Sequence, residues 1–251
     1  GLNTPVTAPT DVFVRDYNNF KNYQDLFPGY DKNELQSFFS RVNYSFADKY
    51  FLTATVRVDG SSKFGANNRY GTFPAFAAKW KLVNEKFAEN SFGKWFSDFS
   101  LRANYGILGS QDGLTSYGAK RIGFAYPAFG TNAAGLAVQQ DENPDLRWEQ
   151  AATTGFGVDF TTKDNRLSIT VDYFNTERKD LLFFGYVPGG FSATSRLFEN
   201  LKGVVINRGW EFSASYKIIT GKNFSWDANY NMTTVENQYR NLPTPIITGE
   251  V

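Results

Sequence analysis

Strict alternation of apolar and polar residues recurs eight times along this chain, and it leaves little choice of secondary structure. In LTATVRVD (52–59), Leu52, Ala54, Val56 and Val58 are apolar, and Thr53, Thr55, Arg57 and Asp59 lie between them. A period of two sends these two sets to opposite faces of a strand. The pattern predicts strands over 35–46, 50–59, 72–82, 98–106, 147–160, 166–177, 208–219 and 223–234. Helical spacing is poor nearly everywhere, and 84–89 is the best short candidate.

The two faces differ in kind. One collects Phe38, Val42, Tyr44 and Phe46, then Phe76, Ala78, Trp80 and Leu82, then Phe99, Leu101, Ala103 and Tyr105. Later strands extend it with Trp148, Phe156, Val158, Leu167, Val171, Tyr173, Trp210, Phe212, Tyr216 and Trp226, and no charge falls on it. The other face holds Arg41, Arg57, Lys79, Arg102, Asp159, Asp172, Glu211, Lys217 and Asp227, together with small residues such as Ala75, Ala77, Gly155 and Gly157.

Alternation alone does not say which face is inside. A soluble barrel or sandwich buries the apolar face, and a membrane barrel turns it to lipid around a wet lumen. Three features favour lipid. The aromatics lie on the apolar face, often near strand ends, as interfacial girdles require. The other face mixes small residues with charges of both signs. Strands of this length suit a tilted span. With 25 Phe, 14 Tyr and 5 Trp, a soluble eight-stranded barrel would also have too little room inside for its rings. No apolar run approaches the roughly 18 residues of a membrane helix.

Composition narrows the chemistry. Without His or Cys, the chain lacks the usual acid–base imidazole, the thiol nucleophile and the common zinc ligands. A formal charge of +1 gives no global field toward nucleic acid. Connections alternate in length. Tight turns are expected at 47–49, 161–165 and 220–223, and long connections at 60–71, 107–146 and 178–207. Such asymmetry is characteristic of membrane barrels. Residues 83–97 break the rule, being too long for a tight turn on the short side. Residues 1–33 read as loop.

DGSSKFGANNRYGTFPA (59–75), DFSLRANYGILGSQDG (98–113), NPDLRWEQ (143–150), VDYFNTERKDLLF (171–183) and VINRGWEFSASY (205–216) resemble, in order and spacing, elements of the SusC/RagA-like TonB-dependent outer-membrane transporters of Bacteroidota. The resemblance covers about residues 34–240. It implies an all-β, antiparallel transmembrane β-barrel segment, about eight strands of a 22-stranded barrel with long extracellular loops. It also implies residence in the outer membrane, a SusD-like surface lipoprotein as lid, coupling to the TonB complex, and import of a bulky oligosaccharide or peptide. Members are several times longer, so the expectation is a single partial domain over 1–251, from the interior or C-terminal part of the barrel, with the plug domain and TonB box outside this chain. Two other readings stay open: a self-contained small outer-membrane barrel with an adhesin or structural role, and a soluble carbohydrate-binding β-protein.

Candidate sites are few. The acidic group Asp141, Glu142 and Asp145 could offer hard oxygens to calcium, but it fits no EF-hand spacing and reads as a solvated loop. Gly60 and Gly65 belong to a turn, not to a phosphate loop. The carboxylates Glu149, Asp159, Asp172, Glu211 and Asp227 are expected to pair with Arg57, Arg102, Lys79 or Lys217 across the wall. No catalytic pair, metal site or cofactor is expected, and the chain is read as no enzyme. The aromatic loops are the candidate substrate contacts: Phe124, Tyr126 and Phe129 in IGFAYPAFG, and Phe183, Phe184, Tyr186 and Phe191 in LLFFGYVPGGF. Aromatic faces stack on sugar rings or bury peptide side chains. The alternative is that these rings pack on a lid protein, the membrane interface or each other.

Overall fold

The computed structural model describes residues 13–16, 32–127, 134–186 and 196–241. Among the described residues, eleven strands form one sheet. Eight make an antiparallel meander: β2 (Leu35–Phe46), β3 (Tyr50–Ser61), β4 (Tyr70–Lys81), β5 (Phe96–Ser110), β8 (Glu149–Thr162), β9 (Leu167–Tyr186), β10 (Arg196–Thr220) and β11 (Ser225–Arg240). These are the eight strands of the sequence pattern. The other three lie at the long-connection end. β6 (Ile122–Pro127) and β7 (Ala134–Gln140) form a hairpin inside the expected 107–146 connection. β1 (Phe13–Asp16), inside the stretch expected to be loop, runs parallel to β6. The hairpin joins the meander where Gln140 pairs with Arg196.

Register confirms the two faces. Across five strands, Leu52 faces Ala78, Ala78 faces Ala103, Ala103 faces Phe156, and Phe156 faces Tyr173. The polar row beside it runs Lys79, Arg102, Gly157, Asp172 and Glu211. The apolar face lies open to its surroundings. Val42 is 64% exposed, Phe156 57%, Trp210 55% and Trp226 54%. A soluble sandwich would bury these side chains against a second layer, and no such layer exists among the described residues. So much open apolar surface suits lipid.

The apolar face is a band with edges. Tyr50 and Trp80 stack near the short-turn end, with ring centroids 6.2 Å apart. Tyr173 and Trp210 meet at 5.1 Å toward the other. One step beyond that second row the same face turns polar, with Asn175 opposite Arg208 and Arg208 opposite Glu236. The aromatic row therefore falls inside the long strands, where membrane gives way to water, and not at their ends. β9 and β10 continue past it, flanked by β8 and β11 as far as Lys179 and Val204 and then as a two-stranded ribbon, so most of the expected 178–207 loop is strand.

The short turns obey backbone chemistry. Ala47 and Asp48 both have positive φ, and the Lys49 N–H donates to Phe46 O, as in the primed turns that suit strand twist. In β4, the ladder to β5 begins at Ala75, one residue after Pro74, which has no N–H to give. β2 pairs only with β3, and β11 only with β10, among the described residues. The meander is an open wall, which argues against a self-contained eight-stranded barrel.

Candidate functional site

On the polar face, the residues nearest the short-turn end form an ionic belt. Arg102 on β5 reaches over β8 to two acids. Its Nε donates to Asp159 at 2.7 Å, and its Nη2 donates to Asp159 and Asp172 at 3.0 Å each. Thr170 donates to Asp159 as well. Lys79 stands 3.5 Å from both Asp98 and Asp159. Gly157 makes this possible. A Cβ there would lie 2.2 Å from an Asp172 oxygen and 2.7 Å from Arg102 Nη2. These pairs include part of the expected cross-wall set; Arg57 instead pairs with Asp59 on its own strand.

Beyond the belt most side chains on this face are neutral hydrogen-bonding groups. Ser213 and Ser215 donate to Asn231 and Asn229 toward the short turns, and toward the long connections Thr53 bonds Asn43, Arg41 donates to Thr55 and Thr153 bonds Thr176. Ala75, Ala77 and Gly106 floor a hollow of about 370 Å³ here. A larger hollow, about 660 Å³, opens on the other face between Trp80 and Trp210, where lipid and not substrate has access. The polar face also holds rings that alternation did not single out. Phe39 is 79% exposed opposite Arg57, Phe51 lies under the Lys81 ammonium at 5.2 Å, and Phe174 covers Gly209. The doublets Phe38–Phe39 and Tyr50–Phe51 were the available signal, since two adjacent rings cannot share one strand face.

At the long-connection end the loops close into a knot. Phe64 is 1% exposed and lies 4.5 Å from the Trp148 ring, and Phe73 meets the same ring edge-on at 5.6 Å. Leu114, Ala119, Leu146 and Phe198 complete the cluster. Trp148 therefore belongs to this buried knot and not to the lipid face where strand parity put it. Backbone bonds tie the loops: Gly65 N–H to Leu146 O and Asn67 N–H to Pro144 O. Asn143 donates to Phe198 O, and Trp148 donates to Arg69 O. A Cβ on Gly65 would sit 2.0 Å from Pro144 O, so close approach, not phosphate binding, explains that glycine. The acidic trio is spoken for: Asp141 and Glu142 face Arg121, and Asp145 accepts from Asn67.

Beside the knot, Gln140 is 4% exposed, and its amide nitrogen donates to Tyr117, Gly118 and Lys120 carbonyls at 2.8 to 3.0 Å. It anchors the base of the β6–β7 hairpin. Phe124 and Tyr126 lie on β6, opposite Ala137 and Gly135. Phe183, Phe184 and Tyr186 lie on the β9 extension. Phe184 packs at a tilt on Phe198 at 4.5 Å and lies under the Arg196 guanidinium at 5.6 Å, while remaining 38% exposed. Phe129 and Phe191 lie outside the described residues.

A one-sided apolar band with aromatic edges, a polar inner wall, and short turns opposite long loops together define the wall of a membrane β-barrel. Residues 3–249 match the family described as TonB dependent receptor-like, beta-barrel, and the chain belongs to that family. It is 35% identical over 217 residues to the TonB-dependent receptor SusC of Bacteroides thetaiotaomicron, covering 84% of this chain and 21% of that protein. It is 33% identical over 214 residues to TonB-dependent receptor P3 of Formosa agariphila, covering 85% and 21%. In solved structures it superposes on the RagAB peptide importer in its open-open state with a TM-score of 0.76 and 29% identity, covering 85% of this chain and 23% of that one. The chain thus spans about a fifth of the length of the curated relatives it matches. These relatives are receptors and transporters, and the chain is not an enzyme.

Proposed function

We propose that this chain forms part of the wall and the external loops of an outer-membrane transporter that imports a bulky nutrient, an oligosaccharide or a peptide. One observation supports it most: the loops that meet at the long-connection end are packed into a single knot, and the β6–β7 hairpin is anchored beside it. A rigid base lets loop aromatics be held ready for a ligand instead of being ordered on binding. Phe124, Tyr126, Phe129, Phe183, Phe184, Tyr186 and Phe191 are the proposed substrate contacts. Similarity to SusC and to a peptide importer favours a SusD-like lipoprotein over the loops and TonB-driven opening through parts of the protein outside this chain. The same similarity favours the outer membrane of a Bacteroidota-type cell.

The test is uptake by the complete transporter of labelled oligosaccharides and labelled peptides. Phe124→Ala with Tyr126→Ala should weaken binding of the transported class about tenfold and leave the folded barrel unchanged. Unaltered binding of a transported ligand would remove these rings from the site. Uptake of neither class would remove the import reading.

A further inference from the structure

The connection between β4 and β5 stands out at the short-turn end. Its neighbours at that end are tight turns, whereas this one contains two 3-10 turns, Leu82–Asn84 and Phe92–Lys94. It is well ordered by its own backbone. Ala88 N–H donates to Glu85 O, Ser91 and Gly93 N–H both donate to Ala88 O, and Trp95 N–H donates to Phe92 O. Ala88 is fully buried, and a Cβ on Gly93 would lie 2.7 Å from Ala88 O. Yet this compact segment leaves Phe87 58% and Trp95 74% exposed.

The rings are not scattered. Phe87 meets Phe92 at 6.0 Å, and Phe92 meets Phe99 edge-on at 5.0 Å. Phe96 touches Phe99 at 6.0 Å and Phe160 at 5.7 Å. Phe99 and Phe160 face each other across β5 and β8 on the lipid-facing side. The aromatic ladder therefore continues the lipid-facing band downward and outward from the last row of the wall. A segment meant only for water would not extend that band with rings. Lys86 and Lys94 alternate with these rings, and long basic side chains reach headgroups while their stems lie on apolar surface.

We propose that residues 82–96 form an interfacial foot that rests in the headgroup–acyl boundary of the phospholipid leaflet at the short-turn end, with Phe87 and Trp95 inserted. Aromatic side chains favour that depth, where one part of a ring is dry and its surroundings are polar. Because internal hydrogen bonds already hold the segment, insertion orders little that was free. Continuity with the lipid-facing wall separates this occupant from a soluble periplasmic partner, which would have to cover Phe99 and Phe160 as well.

The experiment uses the complete transporter in phospholipid vesicles, with a fluorescent label on a single Cys introduced at Phe87 or Trp95. Val171→Cys, in the middle of the apolar band, serves as the lipid-contact reference, and Ala66→Cys, in a loop at the opposite end, as the aqueous one. Nitroxide-bearing lipids labelled near the headgroup should quench positions 87 and 95 at least about twofold, and position 66 should respond to soluble iodide alone. Lys94→Cys gives the same reading if an aromatic variant fails to assemble. Iodide quenching without lipid quenching at 87 and 95, with Val171 still lipid-quenched, overturns the foot and points to water or a soluble partner. Absence of lipid quenching at Val171 overturns the orientation of the wall, and the foot with it.

Discussion

At the residue scale, small side chains on the inner face are explained by what crosses over them. Arg102 can bridge Asp159 and Asp172 only because Gly157 leaves the path open. Gly209 is tighter still: a Cβ there would lie 1.8 Å from the Thr234 carbonyl, which is backbone and cannot swing aside. Gly209→Ala should therefore weaken the wall more than Gly157→Ala, which displaces two side-chain ends. Urea unfolding of the complete transporter should show the larger midpoint shift for Gly209→Ala, and equal shifts would refute the account. In the knot, Phe64→Ala removes a ring that is 1% exposed, and such truncations cost about 3–5 kcal/mol. The expected result is faster proteolysis at the long-connection end, with the spanning strands still protected.

Elements show the two-faced logic most directly. Val56, 42% exposed on the outward face of β3, and its neighbour Thr55 on the inward face differ only in the sign of the pleat. Val56→Arg should impair membrane assembly, since Arg near the bilayer midplane of a barrel costs about 2–4 kcal/mol, and Thr55→Arg should be tolerated better. Equal yields in an outer-membrane folding assay would contradict the assignment of faces. The β4–β5 connection makes its own prediction. Glu85 accepts bonds from the Tyr50 hydroxyl at 2.6 Å, Lys49 at 2.9 Å and the Trp80 indole at 3.1 Å. These three donors hold its carboxyl down to about 2 from an ordinary 4.5. A depressed carboxylate stabilises fully above its unfolded value and loses that stabilisation as pH falls through its folded one. Pinning of the connection should persist at pH 5 and fade between about 4.5 and 2. Glu85→Gln should remove this acid dependence from hydrogen exchange measured over residues 82–96; an unchanged profile would assign it to another group.

For the whole molecule, the open wall matters most. Among the described residues β2 and β11 each leave one edge unpaired, and lipid cannot satisfy open N–H and C=O groups, each of which costs several kcal/mol there. The isolated 251-residue chain should not give a heat-resistant folded band after refolding into micelles. It should fold beside the remaining strands of its parent barrel. A sharp folded band, with a disulfide between Val42→Cys and Ala228→Cys, would show β2 closed on β11 and would restore the small-barrel reading.

Much of this was legible in the residues. Alternation located all eight wall strands and separated their two faces, because a two-residue period cannot be satisfied by any other regular structure; the placement of the aromatics then favoured lipid for one of them. What alternation could not carry was anything beyond the band. Past Tyr173 and Trp210, charged residues and apolar doublets such as Leu181–Leu182 and Phe183–Phe184 interrupt the alternation, and the pattern that marks a strand disappears; hence β9 and β10 continue where loop was expected. Trp148 shows the other limit. Its parity matched the lipid face, but it stands just before β8 begins, and its environment is set by Phe64, Phe73 and Leu146, which arrive from distant parts of the chain. Gln140 gave no local sign at all, since its role lies in three carbonyls about twenty residues away. Local periodicity follows from the backbone and the two solvents, so the sequence alone determined the wall and its faces. Contacts between segments far apart in the chain follow from how the loops meet, so only the tertiary structure decided the knot, the anchored hairpin and the ordered β4–β5 connection.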